Sequence, residues 1–179
     1  MIKFFSGRRQ KLPDVRAPRA FGDKILEAVA VLLLLGIWVV AFILYNKAPD
    51  VIPTHINIYG KADRIGSKDT LLVLAGIATF VMSLTGYRSF FPSRMSRFPV
   101  QITDQNMLIQ YVLIARYLRV LNILVGMLFV AMLFVAMLFN LSNFFLSIGD
   151  GIFEILMVII VALLLLSAVV YNILARKYR

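Results

Sequence analysis

Four long uncharged runs dominate this chain of 179 residues and limit what it can fold into. A helix rises about 1.5 Å per residue, so roughly 20 apolar residues cross a hydrocarbon core of about 30 Å. The composition agrees, because 61% of the residues are hydrophobic, well above the share in a soluble domain. We therefore predict an all-α membrane protein, a bundle of four transmembrane helices. The predicted spans are residues 25–46, 70–87, 117–139 and 155–175.

The chain length predicts a single compact bundle and no second large domain. We expect a basic cytoplasmic tail over residues 1–24, one membrane domain over residues 25–179, and an outer loop over residues 47–69 between the first two spans. The sequence has no cysteine. Disulfides, thiolate metal sites and thiol nucleophiles are therefore excluded.

Positive charge is distributed unevenly along the chain. Fifteen of the 19 Lys and Arg residues lie in the two terminal segments or between the second span and the start of the third. The positive-inside rule then predicts that both termini are cytoplasmic and that the loop between the first two spans faces outward. We expect a multi-pass protein of the bacterial cytoplasmic (inner) membrane, with a net charge of +10 that favours contact with anionic inner-leaflet lipids.

Two arginines near the start of the third span are candidates for lipid contact. Arg116 and Arg119 are three residues apart, so they share a helix face, and we predict that they bind anionic lipid or a helix end. Thr103 or Asp104 is the expected N-cap of their helix. The basic tail lacks the interleaved aromatic residues that stack on bases, so we expect no nucleic-acid partner.

Glu27 is an acidic residue close to the first span. One interpretation is a carboxylate that faces the bundle interior on a proton or substrate path. The other, which we favour, is an interfacial residue paired with Lys24. An exposed pair of that kind contributes at most about 1 kcal/mol.

The loop between the first two spans holds the only histidine of the chain, His55. Proline favours extended geometry in the residue before it, and glycine permits turns, so the two prolines and two glycines of residues 49–68 predict an ordered loop. His55 and Asn57 would point to the same side of an extended segment. Such a pair suits a metal, a peptide carbonyl or a lipid phosphate, but one histidine without cysteine is a poor metal set. We predict no metal and no cofactor.

We further expect the loop to fold over the outer helix ends as a cap, with His55 turned toward the bundle. A buried imidazole without a hydrogen-bond partner would be unfavourable. The candidate partners are Asn57, Asp63, Asp150, Glu154 or a backbone group.

Twenty residues of the loop carry a family resemblance. The stretch P-D-x-I-P-T-H-x-N-x-x-G-x-x-D-x-x-G-S-K, from Pro49 to Lys68, resembles the signature of a bacterial membrane domain of unknown function. That domain also forms the front part of the SdpI family, immunity and signalling proteins against a secreted killing peptide. The resemblance implies a membrane bundle of this topology and an immunity, sensing or protection role.

Two function classes remain open. The first is a non-enzymatic protein that binds an extracellular peptide or an envelope or membrane partner protein through the outer loop. The second is a membrane enzyme or transporter that acts on a lipid headgroup or an ion at the same loop, with His55 as acid, base or ligand. No catalytic set is recognisable, so we favour the first. The candidate ligand-binding residues are Thr54, His55, Asn57, Asp63, Ser67 and Lys68.

Overall fold

The computed structural model describes residues 17–57, 62–94, 98–141 and 152–179. Most of these residues form four helices that are long and apolar enough to cross a membrane. The chain is therefore a mostly helical, multi-pass membrane protein, as predicted. The helices are α1 (Phe21–Lys47), α2 (Asp69–Phe90), α3 (Met107–Leu141) and α4 (Ile152–Lys177). Much of the predicted basic tail lies outside the described residues.

Helix α3 is the centre of the bundle, because it packs against α1, α2 and α4. Small residues line the helix contacts: Ala41, Ala75 and Ala78 are fully buried, whereas large side chains such as Phe80 are exposed. This inverts the arrangement of a soluble bundle. Small residues allow membrane helices to approach closely, and the large apolar side chains face lipid.

Three helices approach closely at Gly126 of α3. A Cβ atom at this position would be 2.9 Å from Met82 Cε of α2 and 3.3 Å from Leu33 Cδ1 of α1. Only a hydrogen atom fits there without a shift of the neighbours. Gly126 therefore sets the spacing of the α1–α2–α3 contact.

Helix α4 is attached to the start of α3 by Gln110. This fully buried side chain donates from Nε2 to the backbone oxygens of Ala175, at 2.9 Å, and Tyr178, at 3.0 Å. The last carbonyls of a helix have no partner within it. One amide side chain thus closes the end of α4, and the stacked rings of Tyr117 and Tyr171 continue the same contact.

Helix α3 begins at Met107, four residues after Thr103 and three after Asp104, the two predicted caps. Thr103 and Asn106 form a reciprocal pair just before it: the Thr103 hydroxyl accepts from the Asn106 N–H at 3.3 Å, and Asn106 Oδ1 accepts from the Thr103 N–H at 2.8 Å. Thr103 therefore does organise this end of the chain, as the sequence indicated. It does so through a turn that precedes the helix.

The connection between α1 and α2 corrects the all-α prediction. It contains two antiparallel strands, β1 (Val51–Ile56) and β2 (Ala62–Ser67). β-Branched side chains at four of the six β1 positions favour this geometry. We call these two strands the hairpin. Ile52 is 2% exposed and belongs to the core that α1, α2 and α3 form, so the base of the hairpin is anchored on the bundle.

Candidate functional site

The hairpin base joins directly to α2 through charged and polar contacts. Lys68 Nζ lies 2.9 Å from Asp50 Oδ1, and the Lys68 N–H donates to Asp50 O at 3.0 Å. The ammonium also lies over the ring of Tyr45, 5.1 Å from its centroid. The hydrogen bond to Lys68 holds the pKa of Asp50 below its usual value, and the same bond raises the pKa of Lys68.

Ser67 has a capping role at the same junction. Its hydroxyl accepts from the Asp69 N–H at 3.2 Å and donates to Asp69 Oδ2 at 2.8 Å. Free N–H groups at the start of a helix are commonly satisfied in this way. Two of the predicted ligand-binding residues, Ser67 and Lys68, thus make structural contacts at the base of the hairpin.

Thr54 fixes the packing between the two strands. Its hydroxyl donates to Arg64 O at 3.5 Å. Its methyl group lies across Gly66, where an added Cβ would be only 2.9 Å from Thr54 Cγ2. The register is irregular on either side of His55, which pairs with Arg64. The Thr54 methyl group therefore leaves little room for a side chain at position 66.

His55 and Asp63 are brought together farther along the hairpin. Asp63 Oδ1 lies 2.5 Å from His55 Nδ1, and the two side chains are 58% and 46% exposed. Asp63 was among the partners expected for the histidine. The expectation that His55 turns toward the bundle is wrong, because Ile52 and not His55 fills the position between the helices. Asp150 and the Glu154 side chain lie outside the described part of the chain.

The exposed His55–Asp63 pair places hydrogen-bonding groups on the surface of the hairpin, and Asn57, which follows β1, is half-buried. Across residues 17–57, 62–94, 98–141 and 152–179, no three His, Asp or Glu side chains lie together as a metal would need. An exposed imidazole next to a carboxylate can exchange a proton or bind a polar group of a partner. Ligand binding by the predicted residues stays a prediction.

A second polar site lies at the opposite end of the bundle, roughly 36 Å along α1 at 1.5 Å per residue. Arg119 of α3 donates from Nε to Glu27 Oε1 of α1 at 2.8 Å, and its Nη1 lies 3.5 Å from Asp23 Oδ1. Arg116 Nε lies 3.1 Å from the same Asp23 oxygen. We call Asp23, Glu27, Arg116 and Arg119 the ionic cluster.

The ionic cluster is buried at its centre. Asp23 is 2% and Arg119 4% exposed, and Asp23 Oδ2 also accepts from the Ala20 N–H at 2.8 Å, which caps α1. Glu27 has a further contact, 3.6 Å from Arg19 Nη1. The predicted pairing of Glu27 with Lys24 is therefore wrong, because Glu27 forms its ion pairs with Arg119 of α3 and with Arg19 among the described residues.

Asp23 was not among the predicted site residues, although the sequence contains a signal for it. Asp23 and Glu27 are four residues apart on α1, and Arg116 and Arg119 are three apart on α3, so each pair occupies one helix face. Two complementary faces of this kind predict a salt-bridged helix contact. Contact of Arg116 and Arg119 with anionic lipid stays a prediction. Both arginines also bind carboxylates of the chain.

Comparison with known proteins places the hairpin inside a described family region. Residues 32–79 match the family described as Domain of unknown function (DUF1648). An uncharacterized protein of Archaeoglobus fulgidus is 35% identical over 52 residues, which are 29% of this chain and 27% of that protein. The chain thus aligns with about a quarter of the length of this curated relative. No solved structure matches the chain. The family match includes the hairpin and does not extend to the ionic cluster.

Proposed function

We propose that this chain is an SdpI-like membrane protein that binds an extracellular peptide or an envelope partner through the hairpin, in immunity, sensing or protection. The observation that carries the proposal is the exposed His55–Asp63 pair on a hairpin that stands between two spans. Both termini lie in the cytoplasm and the hairpin lies outside. The charge distribution along the sequence supports this orientation.

The apolar surface of the hairpin supports a recognition role. Val51 is 57% and Ile65 71% exposed. Among the described residues the sheet consists of β1 and β2 alone, so each strand presents one edge without a neighbouring strand. An extended peptide can add to such an edge through main-chain hydrogen bonds, while side chains supply specificity. The histidine–aspartate pair then provides a polar contact beside the apolar ones.

The proposal is tested by protection of a bacterial host that is sensitive to a secreted killing peptide. Cells that express the chain should survive, and Asp63→Asn should abolish survival at an unchanged level of protein in the membrane. Asp104→Asn is the matched control, because it makes the same change at an exposed site outside the hairpin. Equal survival of the Asp63→Asn and wild-type cells would count against hairpin recognition.

The orientation has its own test. A reporter fused after Arg179 should give a cytoplasmic signal, and one inserted near Gly60 should give an external signal. A cytoplasmic signal near Gly60 would overturn the charge argument.

The His55–Asp63 contact also favours the second function class, an enzyme or transporter that acts on a lipid headgroup or ion. A carboxylate can orient an imidazole for proton transfer. The two function classes predict different effects of a substitution at Ile65. This side chain is exposed and makes no contribution to proton transfer. Ile65→Ser should impair peptide recognition and leave acid–base chemistry at His55 unchanged.

A further inference from the structure

A cavity of about 150 Å³ lies beside the ionic cluster. This volume is about ten times what a single water requires, so a small polyatomic group fits. The cavity lies where α1 begins and α2 ends, at the end of the bundle opposite the hairpin. Its lining residues are Ala17, Arg19, Ser89, Phe90, Phe91 and Arg119.

Two arginines, Arg19 and Arg119, line the cavity, and neighbouring groups hold their side chains in place. Arg19 lies over the ring of Phe90, 5.6 Å from its centroid, and its Nη1 lies 3.6 Å from Glu27 Oε2. Arg119 is buried and contacts Glu27 and Asp23 through Nε and Nη1. A guanidinium has five N–H donors, so these two contacts leave donors of Arg119 for a further acceptor.

The charges of the ionic cluster and of Arg19 do not balance. Three guanidinium groups, from Arg19, Arg116 and Arg119, face two carboxylates, from Asp23 and Glu27. One more anion would neutralise the group. Arginine suits a phosphate in particular, because its planar fork matches the phosphate oxygens.

The remaining wall is apolar, apart from the Ser89 hydroxyl, which donates to Gly86 O at 2.7 Å. Ala17, Phe90 and Phe91 form this wall at the ends of two spanning helices. Lipid headgroups lie at that depth, next to acyl chains that favour apolar surfaces. We propose that the cavity binds a phosphate group between Arg19 and Arg119, supplied by the headgroup of an anionic lipid or by free phosphate.

The experiment measures the melting temperature Tm of the purified full chain in a non-ionic detergent, titrated with three probes. These are phosphatidic acid, diacylglycerol with the same acyl chains, and inorganic phosphate. Phosphatidic acid should raise Tm to a plateau, and diacylglycerol should not, because the two lipids differ only in the phosphate group. A plateau with inorganic phosphate alone would support the site and assign free phosphate as a source. Equal effects of the two lipids would overturn the proposal.

Three variants locate the site. Arg19→Gln should raise the half-saturating concentration of phosphatidic acid about tenfold, the effect of roughly one charge-assisted hydrogen bond. Ala17→Leu should do the same by filling the cavity without changing any charge. Arg176→Gln is the control, since it removes one exposed positive charge at the same end of the bundle. An equal loss in Arg19→Gln and Arg176→Gln, each compared with its own lipid-free Tm, would show diffuse charge attraction and refute the site.

Discussion

Arg119 and Glu27, which are 92 positions apart in the sequence, form a hydrogen-bonded ion pair of 2.8 Å between α3 and α1. Arg119 is almost fully buried, and it also faces the buried carboxylate of Asp23. Removal of one member of a buried ionic group leaves the other without compensation, which is strongly unfavourable. The ionic cluster therefore makes the α1–α3 contact specific at the end of the bundle opposite the hairpin.

The first prediction compares the two arginines of the cluster. Arg119→Gln should lower the free energy of unfolding by about 3 kcal/mol, because Asp23 would stay buried with less positive charge nearby. Arg116→Gln should lower it by about 1 kcal/mol or less, because Arg116 is half-exposed and water screens its charge. Denaturant unfolding in detergent micelles measures both. Similar losses for the two variants would contradict the importance of burial.

The second prediction concerns the three-helix contact at Gly126. Gly126→Val should lower the free energy of unfolding by about 1–3 kcal/mol, the usual range for overpacking, because Leu33 and Met82 already lie against the glycine. Gly76→Val is the control, since nothing lies within 4 Å of a Cβ at position 76. Thermal melting of the two variants in the same detergent measures the loss of stability in each. A loss of stability only in Gly76→Val would contradict the role of Gly126 in the spacing of the three helices.

The third prediction tests the strand contact in the hairpin. Gly66→Ala should destabilise the hairpin by about 1 kcal/mol, since the new methyl group would press on Thr54 Cγ2. Thr54→Ser removes that methyl group and keeps the hydroxyl that donates to Arg64 O. The double variant should therefore regain most of the lost order. The amide NMR chemical shifts of the strand residues measure the order of the hairpin. Additive effects of the two substitutions would contradict a direct contact between the two side chains.

The fourth prediction is a pH dependence at the hairpin base. The pKa of Asp50 is lowered by Lys68, so its contribution to stability is present above the ordinary carboxyl pKa, about 4, and is lost as pH falls through the lower folded value. The pKa of Lys68 is raised by Asp50, so its contribution is present below about 10.4 and is lost as pH rises through the higher folded value.

The pairing of Val51 with Ser67, which adjoins this ion pair, should therefore stay constant between about pH 5 and pH 9 and weaken at both extremes. NMR shifts of these two amides across the pH range measure the effect. Lys68→Gln should flatten both responses, because it removes the charge that each one depends on. A response that persists in Lys68→Gln would assign it to other groups.

The sequence by itself determined the four spans. The predicted ranges 25–46 and 70–87 lie inside α1 and α2, and 117–139 and 155–175 lie inside α3 and α4. Hydrocarbon admits only segments whose backbone hydrogen bonds are satisfied internally, so length and hydropathy suffice to find such helices. The extended geometry around Pro53 was also readable, because proline restricts the chain locally.

Only the tertiary structure decided which polar groups meet. His55 was expected between the helices, but Ile52 fills that position, because an apolar side chain gains more from burial there than an imidazole does. Glu27 was assigned to Lys24, three residues away, yet it pairs with Arg119 of another helix. Spacing along each helix shows that two charges share a face, but it does not show which faces meet across 92 positions of sequence. The packing of α1 against α3 creates that contact, and with it the cavity beside Arg19.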